Sequence, residues 1–376
     1  MTLSNDGIDR QQPTEAGSRD EHAELLRALM ATPTWCAGPV KFEEGILSLE
    51  GWALPLADDP AGAGIAVNGR LMKCDTWATY RADIENLYWQ WPGAAMSGFQ
   101  VSLPISRNDL FSDGYFTLEY VDGRSGRVIN SRHNVYFPSD KLSTSPLPDA
   151  ARQRRVQGVG DDSIFLMEGF SAFKKIVDSL QARSGWRRRR LGSVLDWGCG
   201  CGRLTRYFQG DKRLRISGTD IDVDNVEWCS RSLPFGKFVT APLSPPCEGL
   251  PTKAFDTIIG MSVMTHLSEP DQDRWLDELA RVSKPRALVA LSVHGGATIA
   301  RSNLPLELFS HWLTLGYLDG GMNPDLIGAI ERPEFYRNAF HSEKYIRERW
   351  SKHFDVVDYI PAFIGNHHDL VVLQRQ

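Results

Sequence analysis

The chain has 376 residues, of which 42% are hydrophobic and 24% charged, and its formal net charge is −5. These values are typical of soluble globular proteins and exclude a globally disordered chain, a collagen-like fibre and a coiled-coil rod. The length predicts two domains or one domain with a large extension. The mild acidity gives no electrostatic reason to expect nucleic acid or an anionic membrane as a partner.

Residues 1–31 are predicted to form a polar tail that ends in a short helix. Residues 1–20 are rich in Asp, Gln, Ser and Gly, which predicts disorder, and Leu25, Leu26 and Leu29 follow on one helical stripe. The tail lacks the apolar core of a secretory signal, and no segment reaches the ~18 apolar residues of a spanning helix. The six cysteines form no disulfide or zinc pattern. The sequence therefore predicts a cytoplasmic protein without membrane insertion.

Residues 32–138 are predicted to form a small all-β sandwich domain. Short alternating segments rich in β-branched and aromatic residues predict strands at 46–52, 64–67, 98–103 and 115–121. Residues 139–160, which are rich in Ser and Pro, are predicted to be a linker.

Tryptophan is concentrated in this domain, because five of the 11 tryptophans lie between Trp35 and Trp91. Trp89 and Trp91 are two residues apart and would share one face of a strand. If they were exposed, such a pair would suit stacking on sugar rings; if buried, it would form the core of the sandwich. The sequence leaves both alternatives open.

Residues 161–376 alternate between helical and strand patterns. A long apolar-periodic helix is predicted at 163–182, and seven strands follow near 193–196, 214–220, 237–240, 255–260, 287–293, 354–359 and 369–373. This alternation predicts an α/β domain with a mostly parallel, doubly wound sheet.

The most informative segment of this domain is a glycine-rich turn at 194–204. A buried strand ends at Asp196, and the chain then passes through Gly198, Gly200 and Gly202 toward a predicted helix. Glycine permits the tight turn and lets a ligand lie against the bare backbone. Asp220 ends the next predicted strand, where a carboxylate can accept ribose hydroxyls. The glycine spacing differs from the G-x-G-x-x-G of dinucleotide enzymes, and a carboxylate beside the loop favours a cationic ligand over a pyrophosphate.

These residues resemble the class I S-adenosylmethionine-dependent methyltransferases. The resemblance covers residues 160–376 and rests on the glycine loop, on Asp220 and on the segments 255–267 and 275–285. It implies a Rossmann-like sheet of seven strands with the last one antiparallel, and S-adenosylmethionine as the cofactor. It also implies that the cofactor site comprises Asp196, Trp197, Gly198, Cys199, Gly200, Gly202, Asp220, Ile221 and Met261. Residues 238–242 depart from the family pattern, since they offer no acid or amide side chain for the adenine.

Two histidines are candidates for catalysis. His266 follows the fourth strand of this domain and His294 ends the fifth, so both lie at the edge where an open α/β sheet binds its substrate. Either one can act as a base toward an acceptor hydroxyl, and His266 is preferred; the alternative for both is a structural role. Neighbouring histidines on a strand point to opposite faces, so His367 and His368 are not expected to share an ion, and no metal site is predicted.

Residues 295–350, here called the insertion, are too long for a plain connection and are expected to cover the site. Each of its aromatic and histidine residues either lines an acceptor pocket or packs in the core: Trp312, Tyr317, Tyr336, His341 and Tyr345. The arginine run 187–190 is interpreted as a solvated charge run rather than a nucleic-acid site.

The sequence thus predicts a methyltransferase whose acceptor is a sugar or glycan hydroxyl. The acceptor class comes from a weak resemblance of the N-terminal domain to β-sandwich modules of bacterial polysaccharide assembly, carried by Gly51-Trp52, by 80–83 and by 97–99. The alternatives are a small-molecule O- or N-methyltransferase and a carbohydrate-binding or scaffold protein with a degenerate methyltransferase domain.

Overall fold

The computed structural model describes residues 16–30, 34–54, 63–122, 125–182 and 191–376. The first fifteen residues of the predicted tail and the arginine run 187–190 lie outside these described residues. Within them, no helix combines the length and the apolar character that crossing a membrane requires.

The N-terminal part consists mainly of strands. Its elements are α1 (Ala16–Leu29), β1 (Trp35–Glu43), β2 (Ile46–Ala53), β3 (Ala63–Val67), β4 (Arg70–Leu71), β5 (Lys73–Thr79), α2 (Ala82–Leu87), β6 (Gly98–Pro104), α3 (Arg107–Leu110), β7 (Tyr115–Asp122) and β8 (Val135–Pro138). The helix α1 begins five residues inside the segment that was expected to be disordered, so that expectation is wrong for residues 16–20.

These strands form two antiparallel sheets around one apolar core. One sheet has the order β1-β2-β6-β5 and the other β4-β3-β7-β8. Alternate residues of β2 point inward, so Leu47 and Leu49 are buried while Ser48 between them is only partly buried. They share a core with Phe99 of β6 and with Phe116 and Leu118 of β7.

The tryptophan pair does not lie on a strand. Trp89 and Trp91 follow α2 in a turn, so the expectation that they share a strand face is wrong. Both are partly buried, as is Trp52 of β2, and all three pack against an apolar cluster that includes Phe309 and Trp312 of the insertion. These tryptophans therefore join the N-terminal part to the rest of the chain.

The remaining elements alternate between helix and strand. They are α4 (Ala150–Gln157), α5 (Asp162–Gln181), β9 (Ser193–Trp197), β10 (Arg215–Asp220), α6 (Val223–Ser232), β11 (Gly236–Thr240), β12 (Phe255–Gly260), α7 (Glu269–Val282), β13 (Ser283–His294), α8 (Gly296–Ile299), α9 (Leu306–Leu315), β14 (Tyr317–Met322), β15 (Arg337–His341), α10 (Glu343–Arg349), β16 (Asp355–Ile364) and β17 (His368–Gln374).

Their strands form one sheet of nine, two more than predicted. The order β11-β10-β9-β12-β13 is parallel throughout, and β17 then pairs antiparallel with β13 and with β16. The two further strands, β14 and β15, form an antiparallel pair within the insertion and join β13 only where His294 pairs with Phe340. This hairpin stands at the carboxyl end of β13, beside the predicted site.

The sheet is covered on both faces, as its alternating residues require. Trp197 of β9 and Leu291 of β13 belong to a cluster that includes Trp275 of α7. Residues on the opposite face of the same strands, such as Val194 of β9 and Ala290 of β13, pack against α5. Strands buried on both faces are typical of a parallel sheet in an α/β fold.

A buried glutamine connects the N-terminal part with the insertion. The Gln90 side chain is 2% exposed, and its Nε2 donates to the carbonyl of Ala300 at 2.9 Å. The Arg27 guanidinium of α1 donates to the Gln90 carbonyl at 2.8 Å. Through these bonds α1, the tryptophan-rich turn and the segment after α8 are held together.

We expect the Gln90→Ala variant to lower the free energy of unfolding by about 1–3 kcal/mol, because it leaves the buried Ala300 carbonyl without this donor. Chemical denaturation followed by tryptophan fluorescence measures the change. Gln100→Ala is the matched control, since Gln100 is exposed on β6 and should cost less than about 0.5 kcal/mol. Equal losses in the two variants would contradict a structural role for the Gln90 contact.

Candidate active site

The glycine loop crosses the carboxyl end of β9 on left-handed backbone. Gly198, Gly200 and Gly202 have φ angles of 74°, 51° and 78°. The N–H groups of Gly198 and Cys199 both donate to the Thr219 carbonyl of β10, at 2.7 and 3.0 Å. A Cβ atom at Gly198 would come within 2.2 Å of Val263 Cγ2, so only glycine fits there.

The helix predicted after the loop is not formed as an α-helix. The chain continues through turns into a 3-10 segment, Thr205–Phe208. Thr205 Oγ1 donates to the buried Asp196 carboxylate at 2.5 Å, which holds this segment back against the end of β9.

Asp220 lies across the loop from Asp196, at the end of β10. One carboxylate oxygen accepts the Gly200 N–H at 2.7 Å and the other accepts the Asp222 N–H at 2.9 Å. Asp220 is half-buried, whereas Asp196 is 2% exposed. The structure thus brings Asp196, Asp220 and Gly200 together, as the sequence predicted.

Burial raises the pKa of both carboxyl groups to about 6, and at Asp196 the neighbouring charge of Asp220 adds to the effect. Two carboxylates held close together repel an anionic ligand and favour a cationic ligand or one that donates hydroxyl hydrogen bonds. As hydrogen-bond acceptors with negative charge, these carboxylates fit the sulfonium, the ammonium and the ribose hydroxyls of S-adenosylmethionine.

The side chains of the other residues predicted for the cofactor site pack largely in the protein core. The Trp197 side chain packs against Trp275 in the core, with ring centroids 5.3 Å apart, and Cys199 is buried beside Cys229. Ile221 packs at the edge of the same core as Trp197. Met261 is 9% exposed and belongs to the cluster on the opposite face of the sheet.

Removing the Asp220 carboxylate should weaken cofactor binding. We expect the Kd of Asp220→Ala for S-adenosylmethionine to rise about 10–100-fold, since a hydrogen bond to a charged group is worth about 1.5–3 kcal/mol. Isothermal titration calorimetry measures the change. The control is Glu227→Ala, which removes an exposed carboxylate of α6. Unchanged affinity in Asp220→Ala would contradict the placement of the ribose.

Cofactor affinity should also fall at low pH. Because the pKa values of Asp196 and Asp220 are raised to about 6, both lose charge as the pH falls through 6, and protons then compete with the cofactor. We expect Kd to rise by up to about tenfold per pH unit for each group between about pH 6 and about pH 5. The same titration in Asp220→Ala should show a shallower dependence, and a flat wild-type profile would contradict the prediction.

The histidines converge beyond the end of β12. Ser262 follows Met261 directly and has a φ of 60°. Its hydroxyl lies 3.4 Å from His266 Nε2 and 3.3 Å from His368 Nε2, and its N–H donates to Ser292 Oγ at 2.7 Å. Ser262 therefore lies between Met261, which belongs to the predicted cofactor site, and the histidines.

The tautomer of His266 is set by the insertion. Its Nδ1 donates to the Arg337 carbonyl of β15 at 2.8 Å, so Nε2 carries the lone pair and faces Ser262. The Tyr336 ring stacks on the imidazole with centroids 3.9 Å apart. Burial lowers the pKa of His266 to about 4, so the ring is neutral at pH 7.

Three further histidines adjoin His266. The His294 ring centroid lies 6.2 Å from that of His266, 4.8 Å from that of His367 and 5.1 Å from that of His368. His294 and His368 are direct cross-strand partners on β13 and β17. Burial, followed by repulsion from neighbouring positive charge, lowers the pKa of both His294 and His368.

The expectation that His367 and His368 point to opposite faces is wrong. The strand β17 begins at His368, whereas His367 belongs to the preceding turn, so the alternation of a strand does not apply to the pair. Their ring centroids lie 4.3 Å apart, and their side chains converge with that of His294.

The insertion covers the site with only some of its predicted residues. Tyr336 stacks on His266, as described above. His341 is buried and pairs through Nε2 with Gln272 Oε1 at 3.0 Å, so it has a structural role. The others pack in apolar clusters: Trp312, Tyr317 and Tyr345.

The sequence did not single out Ser262 as a site residue. Its only local signal is its position one residue after Met261. Sequence reasoning also had no means of pairing His266 with the Arg337 carbonyl, because that bond spans 71 residues.

Comparison with known proteins identifies a methyltransferase domain. Residues 194–286 match the family model described as a methyltransferase domain. This segment contains the glycine loop, Asp220, Met261 and His266. It is a methyltransferase domain, and the cofactor of the enzyme is S-adenosylmethionine.

Several solved structures are similar to this chain. An S-adenosylmethionine-dependent methyltransferase from Aquifex aeolicus is 18% identical, with 61% of this chain and 100% of that chain covered and a TM-score of 0.39. A 1,6-didemethyltoxoflavin-N1-methyltransferase from Burkholderia thailandensis, solved with its substrate and S-adenosylhomocysteine, is 16% identical, with 66% and 98% covered and a TM-score of 0.40. A TehB-like methyltransferase from Corynebacterium glutamicum is 17% identical, with 60% and 96% covered and a TM-score of 0.36.

Proposed function

We propose that this enzyme transfers the methyl group of S-adenosylmethionine to an acceptor hydroxyl, with His266 as the base. The observation that carries the proposal is the lone pair on His266 Nε2, which the Arg337 carbonyl fixes and which lies beside Ser262 at the end of β12. A neutral, buried imidazole in that position can accept a proton from an alcohol.

In the proposed reaction the cofactor supplies a methyl group already activated on a sulfonium. His266 Nε2 accepts the proton of the acceptor hydroxyl as its oxygen bonds to the methyl carbon, and the carbon–sulfur bond breaks. The products are a methyl ether, S-adenosylhomocysteine and a proton on His266, which then passes to solvent. Asp196, Asp220 and the glycine loop position the reactants, which is the main requirement of such a displacement.

The acceptor that we propose is a sugar or glycan. The support is the weak sequence resemblance of the N-terminal domain to polysaccharide-assembly modules, together with the contact between the turn that carries Gln90 and the segment after α8. The tryptophans contribute to that contact and only partly remain available for stacking. A small-molecule O- or N-methyltransferase is the alternative for the same site, and a protein that only binds carbohydrate is the alternative from another class.

An acceptor screen with methyl-labelled S-adenosylmethionine tests the proposal. Nucleotide sugars, oligosaccharides, phenols and amines are compared, with Asp220→Ala as the control for cofactor-dependent signal. The proposal expects transfer to the sugar classes and formation of an ether. Transfer only to amines would contradict O-methylation and indicate an N-methyltransferase. Carbohydrate binding without affinity for S-adenosylmethionine would favour the alternative of a protein that only binds carbohydrate.

A further inference from the structure

Three imidazoles converge at the end of β13 in an arrangement that the methyl-transfer proposal does not use. One ring nitrogen from each of His294, His367 and His368 lies within 4.8 Å of the other two. His294 is 7% exposed and His368 is 6% exposed, whereas His367 is partly exposed.

Two ring nitrogens of these histidines lack a hydrogen-bond partner among the residues that the structure describes. They are His294 Nδ1 and His367 Nε2, and both atoms are buried. A buried polar atom without a partner is destabilising, so these two nitrogens call for a ligand from outside the protein.

The carboxylate that is adjacent in sequence does not fill this role. Asp369 follows His368 in the sequence, but its oxygens accept the Tyr359 hydroxyl and the Ala362 N–H. A ligand that satisfies several imidazole lone pairs at once must be an electron-pair acceptor, and a metal cation is the simplest one.

The turn that carries His367 is held in place from two sides. Thr298 of α8 donates its hydroxyl to the His367 carbonyl, and Asn366 Nδ2 donates to the Trp35 carbonyl of β1 at 2.8 Å. The Asn366 amide oxygen also contacts His133 Nδ1. A tethered turn keeps the imidazoles together, as a metal site requires of its supporting contacts.

We propose that His294, His367 and His368 bind one divalent transition-metal ion of the Zn²⁺ class. Neutral imidazole suits zinc, copper, nickel and iron, and three histidines leave a coordination position open, as in catalytic zinc sites. The proposed ion lies beside the His266 base, so the open position can take the acceptor oxygen and polarise it. This last role rests on the proposed methyl transfer, whereas metal binding itself does not.

The test uses the full chain after treatment with a chelator. Zn²⁺ alone is titrated calorimetrically, and Co²⁺ is added separately to follow its visible absorption bands, which report nitrogen coordination. We expect one ion per chain, and at least about tenfold weaker binding in each of His294→Ala, His367→Ala and His368→Gln. The matched control is His311→Ala, because His311 is exposed on α9 and should leave the affinity unchanged.

Each variant is also titrated with S-adenosylmethionine. A variant that still binds the cofactor is folded, so its loss of metal binding is due to the missing imidazole. Absence of Zn²⁺ and Co²⁺ binding in the wild type would overturn the site. Undiminished metal binding in the double variant that carries both His294→Ala and His367→Ala would overturn it as well. Methyl transfer at full rate in the metal-free enzyme would overturn only the polarising role. Metal binding without transfer to any acceptor would leave the site standing and refute the proposed function.

Discussion

We expect the His266→Gln variant to lose about 10²–10⁴-fold in kcat, which is the usual contribution of a general base. Glutamine keeps a polar group of similar size but has no lone pair of comparable basicity to offer the acceptor. Its amide nitrogen can still donate to the Arg337 carbonyl, so the local packing against Tyr336 is retained. The measurement is steady-state kinetics with the acceptor found in the screen.

The affinity for S-adenosylmethionine should stay within about threefold of the wild type in His266→Gln, because the loss is confined to the proton transfer. His311→Gln supplies the matched substitution at an exposed histidine and should keep the wild-type kcat. A fall in kcat of less than about threefold in His266→Gln would reject the role of base and leave His266 a structural residue.

Gly198→Ala is expected to raise the Kd for S-adenosylmethionine at least about tenfold, and the cause is steric. The added Cβ would lie 2.2 Å from Val263 Cγ2, and the backbone there has a φ of 74°. Left-handed backbone costs an alanine about 1–2 kcal/mol, and relieving the clash moves either the loop or the segment that carries Ser262. Either movement displaces the surface against which the cofactor lies.

A second glycine separates the steric effect from the backbone strain. Gly210 also has a left-handed φ, of 93°, but no heavy atom lies within 4 Å of the position of its Cβ. Gly210→Ala therefore carries the strain without the clash, and its Kd should stay within about threefold of the wild type. If the two variants bound the cofactor equally well, the glycine loop would not be the cofactor site.

The sheet of the methyltransferase domain was predictable because its central strands are buried on both faces. Runs such as 287–291 are apolar without interruption, and the turn residues that follow the strands mark where they end. The hairpin β14–β15 was not predicted, since its strands contain Gly320, Gly321 and several polar residues and pair with each other across fourteen intervening residues. Nothing local in such a segment distinguishes a strand from a loop.

The cofactor side of the site was predictable and the acceptor side was only partly so. Asp196, the glycines and Asp220 are close in sequence to the strand ends that position them, so their spacing carries the geometry. His266, His294 and His368 come together from three different strand ends, and His367 joins them from a turn. The rule of strand alternation failed for His367 because the strand begins one residue later.

The bonds of Asn366 to the Trp35 carbonyl and to His133 limit which parts of this protein can be exchanged for those of another protein. Both partners belong to the N-terminal part, Trp35 on β1 and His133 in the turn before β8, yet the turn that they hold belongs to the last hairpin of the methyltransferase sheet. A chimera that exchanges the N-terminal part for another module would free this turn unless residues 365–367 and their two anchors were transplanted together. We therefore expect recombination between homologues to preserve the pairing of these two halves.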